Sequence, residues 1–267
     1  MNYLEASENR SIYIIREAFY KFKNIALLWS IGKDSTTLLH LARKAFLGKL
    51  PFPVIHIDTG YKFPEIYEFR EKYAKEWALD LTVVKNDEAI KNGMGPEASK
   101  KIECCNMLKT EALKKVIAKE GFDALLIGIR RDEHGIRAKE RYFSPRDEEF
   151  KWNYTDQPTE MWDQYRSLGD SDNHYRIHPL LHMAELDIWN YIKKENLPIN
   201  KLYYSKNGTR FRSIGCAPCC SPVNSNASNI DEIISEIETT REDERAGRAQ
   251  DKENADTMQK LRALGYM

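Results

Sequence analysis

The chain has 267 residues, with 41 basic and 41 acidic side chains, so its formal charge balances at neutral pH. That length suits one α/β domain with an appendage, and the balanced charge excludes a global attraction to nucleic acid or membrane, so any binding face must be local. No apolar stretch reaches the roughly 20 residues that span a bilayer, and residues 1–19 lack the charged start and apolar centre of a signal peptide, so a cytoplasmic enzyme is expected.

In chain order, residues 7–22 read as an amphipathic helix with Ser7 as its cap. Residues 25–29 form a buried strand, 35–46 a helix, 53–58 a second strand, 63–78 a helix and 79–84 a third strand. Residues 86–103 read as a loop broken by Asn92-Gly93 and Gly95-Pro96. A helix over 105–120 stops at Gly121, and a fourth strand follows over 123–129. This alternation implies a doubly wound, mostly parallel α/β sheet, with ligands outside the carboxyl ends of its strands. Residues 131–176 are charged and aromatic with little periodicity. A short strand over 176–181 and a helix over 183–197 follow, then a Gly/Ser/Asn/Cys-rich loop over 203–229. Charged helices are expected over 230–246 and 251–264, making 203–267 a loop-rich and helical C-terminal extension.

The first strand leaves through Ser30-Ile31-Gly32-Lys33-Asp34-Ser35 and enters a helix at once. The first-turn N–H groups of a helix lack partners and carry the positive end of its dipole, so this junction suits an anion. It lacks the Gly-x-x-x-x-Gly-Lys-Ser/Thr spacing of the Walker loop. By residue type, Gly32 lets amides approach phosphates, Ser30 and Ser35 donate hydroxyls, and Lys33 offsets charge on a leaving pyrophosphate. Asp34 either orients Lys33 or helps to hold Mg²⁺. A serine-capped helix behind a strand is the plain alternative. Asp58, Thr59 and Gly60 end the second strand, and Gly128 through Glu133 end the fourth, so both should open onto the same crevice. There a carboxylate can reach ribose or Mg²⁺, and Arg130, Arg131 and Arg137 can clamp an oxyanion. With Lys139, Arg141, Arg210 and Arg212 they form a basic face that suits either a phosphate backbone or ATP with one small oxyanion.

The five cysteines fall in two groups, Cys104-Cys105 and Cys216-Ala217-Pro218-Cys219-Cys220. In a reducing compartment such grouping points to metal ligands or reactive thiols before disulfides, and a tetrathiolate site holds either an iron–sulfur cluster or zinc. Cys220 is left over as a spare ligand, a sulfur-carrying thiol or an inert residue. The histidines His40, His56, His178 and His182 lack metal-spaced partners among themselves and read as structural.

The segments SIGKDS, LPFPVIHIDTGYKF, FDALLIGIRRDE, RAKERYFSPRD, RFRSIGC and DERAGRAQDKENADTMQKLRALGYM together resemble the adenosine-phosphosulfate reductase family of ATP pyrophosphatases, above all the small adenylylating subunits of bacterial sulfate adenylyltransferases. The resemblance implies a Rossmann-like adenine-nucleotide α-hydrolase fold, with an ATP pyrophosphatase domain over 1–202. It places nucleotide roles on Ser30, Gly32, Lys33, Asp34, Ser35 and Asp58, with Thr59, Gly60 and Gly128 beside them, and oxyanion roles on Arg130, Arg131 and Arg137. ATP and Mg²⁺ are the implied cofactors. Two features depart from the sulfate-activating subunits: the cysteine array, and only six residues between Leu202-Tyr203 and Arg210-Phe211-Arg212. The cysteine pattern resembles iron–sulfur members of the superfamily, including DNA phosphorothioation sulfurtransferases. It implies a [4Fe–4S] cluster on Cys104, Cys105, Cys216 and Cys219, with Zn²⁺ second.

The leading expectation is therefore ATP-driven sulfur transfer to a nucleic-acid phosphate, served by a cysteine desulfurase and nucleic-acid-binding partner proteins. The alternative is sulfate adenylylation beside a GTPase subunit. Reductive cleavage of an adenylylated sulfate is a third reading, disfavoured because the C-terminal LRALGYM carries no cysteine. A homo-oligomer stays open, and no membrane partner is expected.

Overall fold

A computed structural model describes residues 2–162, 164–165, 174–249, 260–261 and 263–265. Six strands form one sheet: β1 (Ile25–Leu28), β2 (Val54–Ile57), β3 (Leu81–Val84), β4 (Ala124–Ile127), β5 (Phe143–Arg146) and β6 (His174–Ile177), in the order β3-β2-β1-β4-β6-β5. All neighbours are parallel except β5 on β6. Every residue of β1, β2, β4 and β6 is buried, as the continuous apolar runs of β1 and β4 require of strands covered on both faces. Edge strand β3 exposes Thr82 and Val83.

The helices are α1 (Tyr3–Lys21), α2 (Lys33–Ala45), α3 (Pro64–Glu76), α4 (Asp87–Lys91), α5 (Lys101–Cys105), α6 (Glu111–Glu120), α7 (Glu185–Glu195) and α8 (Ile230–Thr239). Helix α1 starts four residues before the expected Ser7, because Asn2 and Glu5 form a reciprocal capping box and Ser7 is buried within the helix. The expected loop over 86–103 contains α4 and the start of α5, and the expected helix over 105–120 is interrupted by a π-helical turn over Asn106–Thr110. The aperiodic stretch after 130 contains β5, whose antiparallel pairing closes the sheet edge. Helix α8 ends at Thr239, where the expected helix ran to 246, and leaves 240–248 as an irregular strap. A two-stranded pair, β7 (Thr209–Arg210) and β8 (Val223–Asn224), frames the cysteine loop. The helix expected over 251–264 falls largely outside the described residues. Among the described residues, no helix is long and apolar enough to cross a membrane.

The sheet order reverses between β1 and β4, the first strand pair to grow in the opposite direction from β1–β2. Their carboxyl ends diverge into connections on opposite faces, and a crevice opens there.

Candidate active site

The turn from β1 into α2 is fixed by its own hydroxyls. Ser35 Oγ donates to the Gly32 carbonyl at 3.1 Å, accepts the Ser30 amide at 3.2 Å and lies 3.0 Å from Ser30 Oγ. The Lys33 amide donates to the phenol oxygen of Tyr203 at 2.9 Å, so a residue distant in sequence orients the helix start. The left-handed torsion of this loop belongs to Ile31 at φ 68°, whereas Gly32 has an ordinary φ of −77°. Gly128 has the stricter requirement. A Cβ there would stand 3.0 Å from both the Cα and the amide nitrogen of Ser35. The phosphate loop thus packs directly on the end of β4.

Ser30, Gly32, Lys33, Asp34, Ser35, Gly128 and Arg137 all line one crevice, as the sequence led us to expect. Arg130 is fully buried behind it, donating to Asp34, to Glu244 and, at 2.9 Å, to Asp132. Glu133 lines it too, and sequence reasoning missed Lys62, Lys109, Glu244, Arg245 and Arg248, which complete its charged lining. Glu133 accepts from Arg137 and, at 3.1 Å, from Arg245. Burial pushes its carboxyl up, but Arg137 and Arg245 overcome that and hold it well below the usual range. Glu244 behaves alike: burial raises it, and Arg130 and Lys33, to both of which it is hydrogen-bonded, pull it down further.

Other expected residues lie elsewhere. Asp58 accepts from the Gly60 amide at 2.8 Å and the Tyr67 hydroxyl at 2.9 Å, forming a turn that does not line the crevice. Thr59 faces Cys216 instead, with Oγ1 3.2 Å from Sγ. Arg131 points away from its neighbour Arg130 into a separate cavity, where it stacks 5.0 Å from the Tyr142 ring centre. The basic face does not assemble either. Arg130, Arg137, Arg210 and Arg212 are buried and bonded to Glu244, Glu133, Glu236 and Glu185, so they cannot track a phosphate backbone. The histidines turn inward: His56, His178 and His182 each place a ring nitrogen 2.8–3.1 Å from a backbone carbonyl oxygen, of Trp29, Arg141 and Ser7, and His40 lies 3.4 Å from Glu195.

The two cysteine groups converge beside the crevice. Cys104 and Cys105 end α5, and Cys216 is zipped to Lys62 by an antiparallel bridge, with the Ala217 amide donating to the Tyr61 carbonyl at 2.7 Å. All five are free thiols, and all but Cys220 are buried. Burial and the neighbouring Cys105, Cys216 and Cys219 push the Cys104 thiol up to about 12. Burial also raises Cys216, but Lys109, Lys62 and the Thr59 hydroxyl bring it down to about 7. Four thiols thus share one electrostatic neighbourhood. Among the described residues, however, no three His, Cys, Asp or Glu side chains are grouped closely enough to hold a single metal ion. Soft thiolates suit an iron–sulfur cluster, whose thiolate ligands stand wider apart than the four around one zinc ion.

Residues 24–222 match the phosphoadenosine phosphosulfate reductase domain. The chain belongs to the phosphoadenosine phosphosulfate reductase family. Within that family's wider kin it is 40% identical to the sulfate adenylyltransferase subunit 2 of Saccharophagus degradans, covering 100% of this chain and 98% of that one. The same identity holds to the subunit of that name from Pseudomonas savastanoi pv. phaseolicola, again over 100% and 98%. Among solved structures, the fold is similar to the phosphoadenylyl-sulfate reductase of Candida auris in its phosphate complex. That match has a TM-score of 0.56 at 20% identity, covering 80% of this chain and 90% of that one. The FMN adenylyltransferase of Candida glabrata with FMN and an ATP analogue matches at a TM-score of 0.57 and 21% identity, over 92% and 90%. The family's Rossmann-like nucleotide fold is thus this chain's fold.

Proposed function

We propose that the protein transfers the adenylyl group of ATP to sulfate, as the small subunit of a sulfate adenylyltransferase. The observation that carries this reading is the crevice itself: a phosphate-loop lysine, Lys33, and Arg137 in its wall with Arg130 buried directly behind, beyond the carboxyl ends of β1 and β4. Full-length similarity to proteins named sulfate adenylyltransferase subunit 2 supports the choice of acceptor. The word subunit in that name supports a partner chain, the GTPase of the sequence reading. Sulfur transfer to nucleic acid draws less support, because four residues of the basic face it would use, Arg130, Arg137, Arg210 and Arg212, are buried in ion pairs and present no continuous surface to a phosphate backbone.

In this reading a sulfate oxygen attacks the α-phosphorus, the bond to the β-phosphate oxygen breaks, and pyrophosphate leaves with the electron pair. Lys33 and Arg130 offset the charge growing on pyrophosphate, and Arg137 orients the incoming dianion. The oxygen donors Ser30, Asp34, Ser35 and Glu133 at the crevice fit Mg²⁺, which would neutralise the triphosphate. A [4Fe–4S] cluster on Cys104, Cys105, Cys216 and Cys219 belongs to the same reading. When bound it would cross-link the loop around Cys216 to the end of α5, fixing Lys62 and Lys109 in the crevice wall.

The test is sulfate-dependent pyrophosphate release from ATP by the chain with its partner subunit. Adenosine phosphosulfate and pyrophosphate in equal amounts are expected. ADP with orthophosphate, or turnover that needs DNA and ignores sulfate, would overturn the proposal.

A further inference from the structure

The crevice has an occupant drawn from the protein itself. Its free volume is about 140 Å³, below the roughly 300–1,000 Å³ usual for small-molecule sites. The space is taken by the strap over 240–248, whose Glu244 reaches the phosphate-loop Lys33 across 211 positions. Glu244 is buried and bonds Lys33 and Arg130 together, one carboxylate oxygen to each. These are the two cations placed to receive a leaving pyrophosphate. A carboxylate chelated by a loop lysine and a buried arginine has the charge and hydrogen-bond demand of a phosphate oxygen pair.

We propose that the strap over 240–248 is an autoinhibitory latch, with Glu244 standing in for pyrophosphate on the phosphate loop until ATP displaces it. This rests on the reading of the crevice as an ATP site. Occupancy argues for displacement. Glu244 and Asp34 take up Lys33 and Arg130 between them, so a phosphate oxygen can bond that pair of cations only where Glu244 leaves it. Lys62, Lys109 and Arg248 also line the crevice, so it keeps its attraction for a triphosphate while the latch is closed. Away from Lys33 and Arg130 the strap is held by Arg245 on Glu133, by the Arg212 guanidinium on the Glu242 carbonyl at 2.7 Å, by the Ser221 amide on the Gly247 carbonyl at 2.9 Å, and by Arg248, which bridges to Cys220 and donates to its Sγ at 3.0 Å. Helix α8 has already ended at Thr239, so the strap can swing without unwinding a helix.

Glu244→Gln keeps the shape and removes the charge. Full-length protein carrying it should bind ATP roughly tenfold more tightly by equilibrium dialysis, the equivalent of about 1.4 kcal/mol. Its unliganded strap should exchange backbone hydrogens at least several-fold faster over 241–249. ATP added to the unmodified chain should speed exchange in the same segment. Asp243→Asn, at the exposed neighbour, should change neither quantity. If Glu244→Gln folds poorly, Glu244→Asp keeps the charge one methylene short and should fall between the two. Weaker ATP binding by Glu244→Gln, or ATP slowing exchange over 241–249, would overturn the latch and make Glu244 part of the bound site. If no form binds ATP, the functional reading fails, while exchange in unliganded Glu244→Gln still decides whether the carboxylate holds the strap.

Discussion

Gly128 has no room for a side chain. Its would-be Cβ meets backbone atoms of Ser35 and Asp34 at 3.0–3.1 Å, and a helix start cannot yield as a flexible side chain does. Gly128→Ala should therefore destabilise the fold by about 1–3 kcal/mol in denaturant unfolding and displace the phosphate loop. Gly32→Ala should not, because there the nearest atoms, Ser30 Oγ and Tyr203 Oη, stand at 3.4 and 3.5 Å and φ is ordinary. Equal losses from both substitutions would refute the packing argument. Lys33→Ala is expected to lower pyrophosphate release by a factor on the order of 10²–10³, the usual loss of one preorganised charge donor, measured with stability as a control. Ser30, Lys33 and Ser35 were legible because a strand followed by hydroxyls and a lysine at a helix mouth is a local pattern. The direction of Arg131 was not. Successive residues leaving a strand point to opposite sides, so of two adjacent arginines only Arg130 could reach the loop.

At the scale of elements, the sheet and its site-bearing loops followed the alternation of apolar runs, whereas boundaries moved wherever side chains competed for the cap. Asn2 displaced Ser7 in this way at α1. The π-turn over Asn106–Thr110 has no pattern in the sequence that marks it. It follows Cys105 directly and buries Lys109 and Thr110, adding a residue to the turn that carries Lys109 to the crevice wall. Because the thiols on α5 and on the loop at Cys216 share one neighbourhood, anaerobically purified protein is expected to be brown with about four irons per chain. Cys104→Ser and Cys216→Ser should each lose that iron. One zinc per colourless chain would instead indicate that the loops draw closer together around a single ion.

The whole molecule should be sensitive to mild acid. Burial holds His56 and His174 neutral, lowering each from 6.5 to about 3. An unfolded chain takes up those two protons below pH 6.5 and the folded one does not, so stability is complete above pH 6.5 and declines as pH falls toward 3. At pH 5 the loss is about 2 kcal/mol for each histidine. The depressed carboxyls of Glu133 and Glu244 add a second loss only below their ordinary value near 4.5. Urea midpoints measured between pH 7 and 5 should fall accordingly, and His174→Gln should flatten the slope by about one proton. A midpoint constant across that range would contradict the burial of these rings. Molecular-scale legibility was uneven for a related reason. Strand order follows from short connections, but Lys33 meets Glu244 across 211 positions, and no local pattern encodes such a contact.

That separation also orders events during synthesis. The phosphate loop and Arg130 exist once β4 has left the ribosome, but Glu244 follows Arg130 by 114 residues. At about 5–20 residues per second, roughly 6–23 s pass in between. Throughout that interval Lys33 and Arg130 have Asp34 as a partner but not Glu244, so cellular nucleotide meets them before the latch exists. ATP bound in that interval would hold the strap off the phosphate loop, so the latch would first close only when the nucleotide leaves.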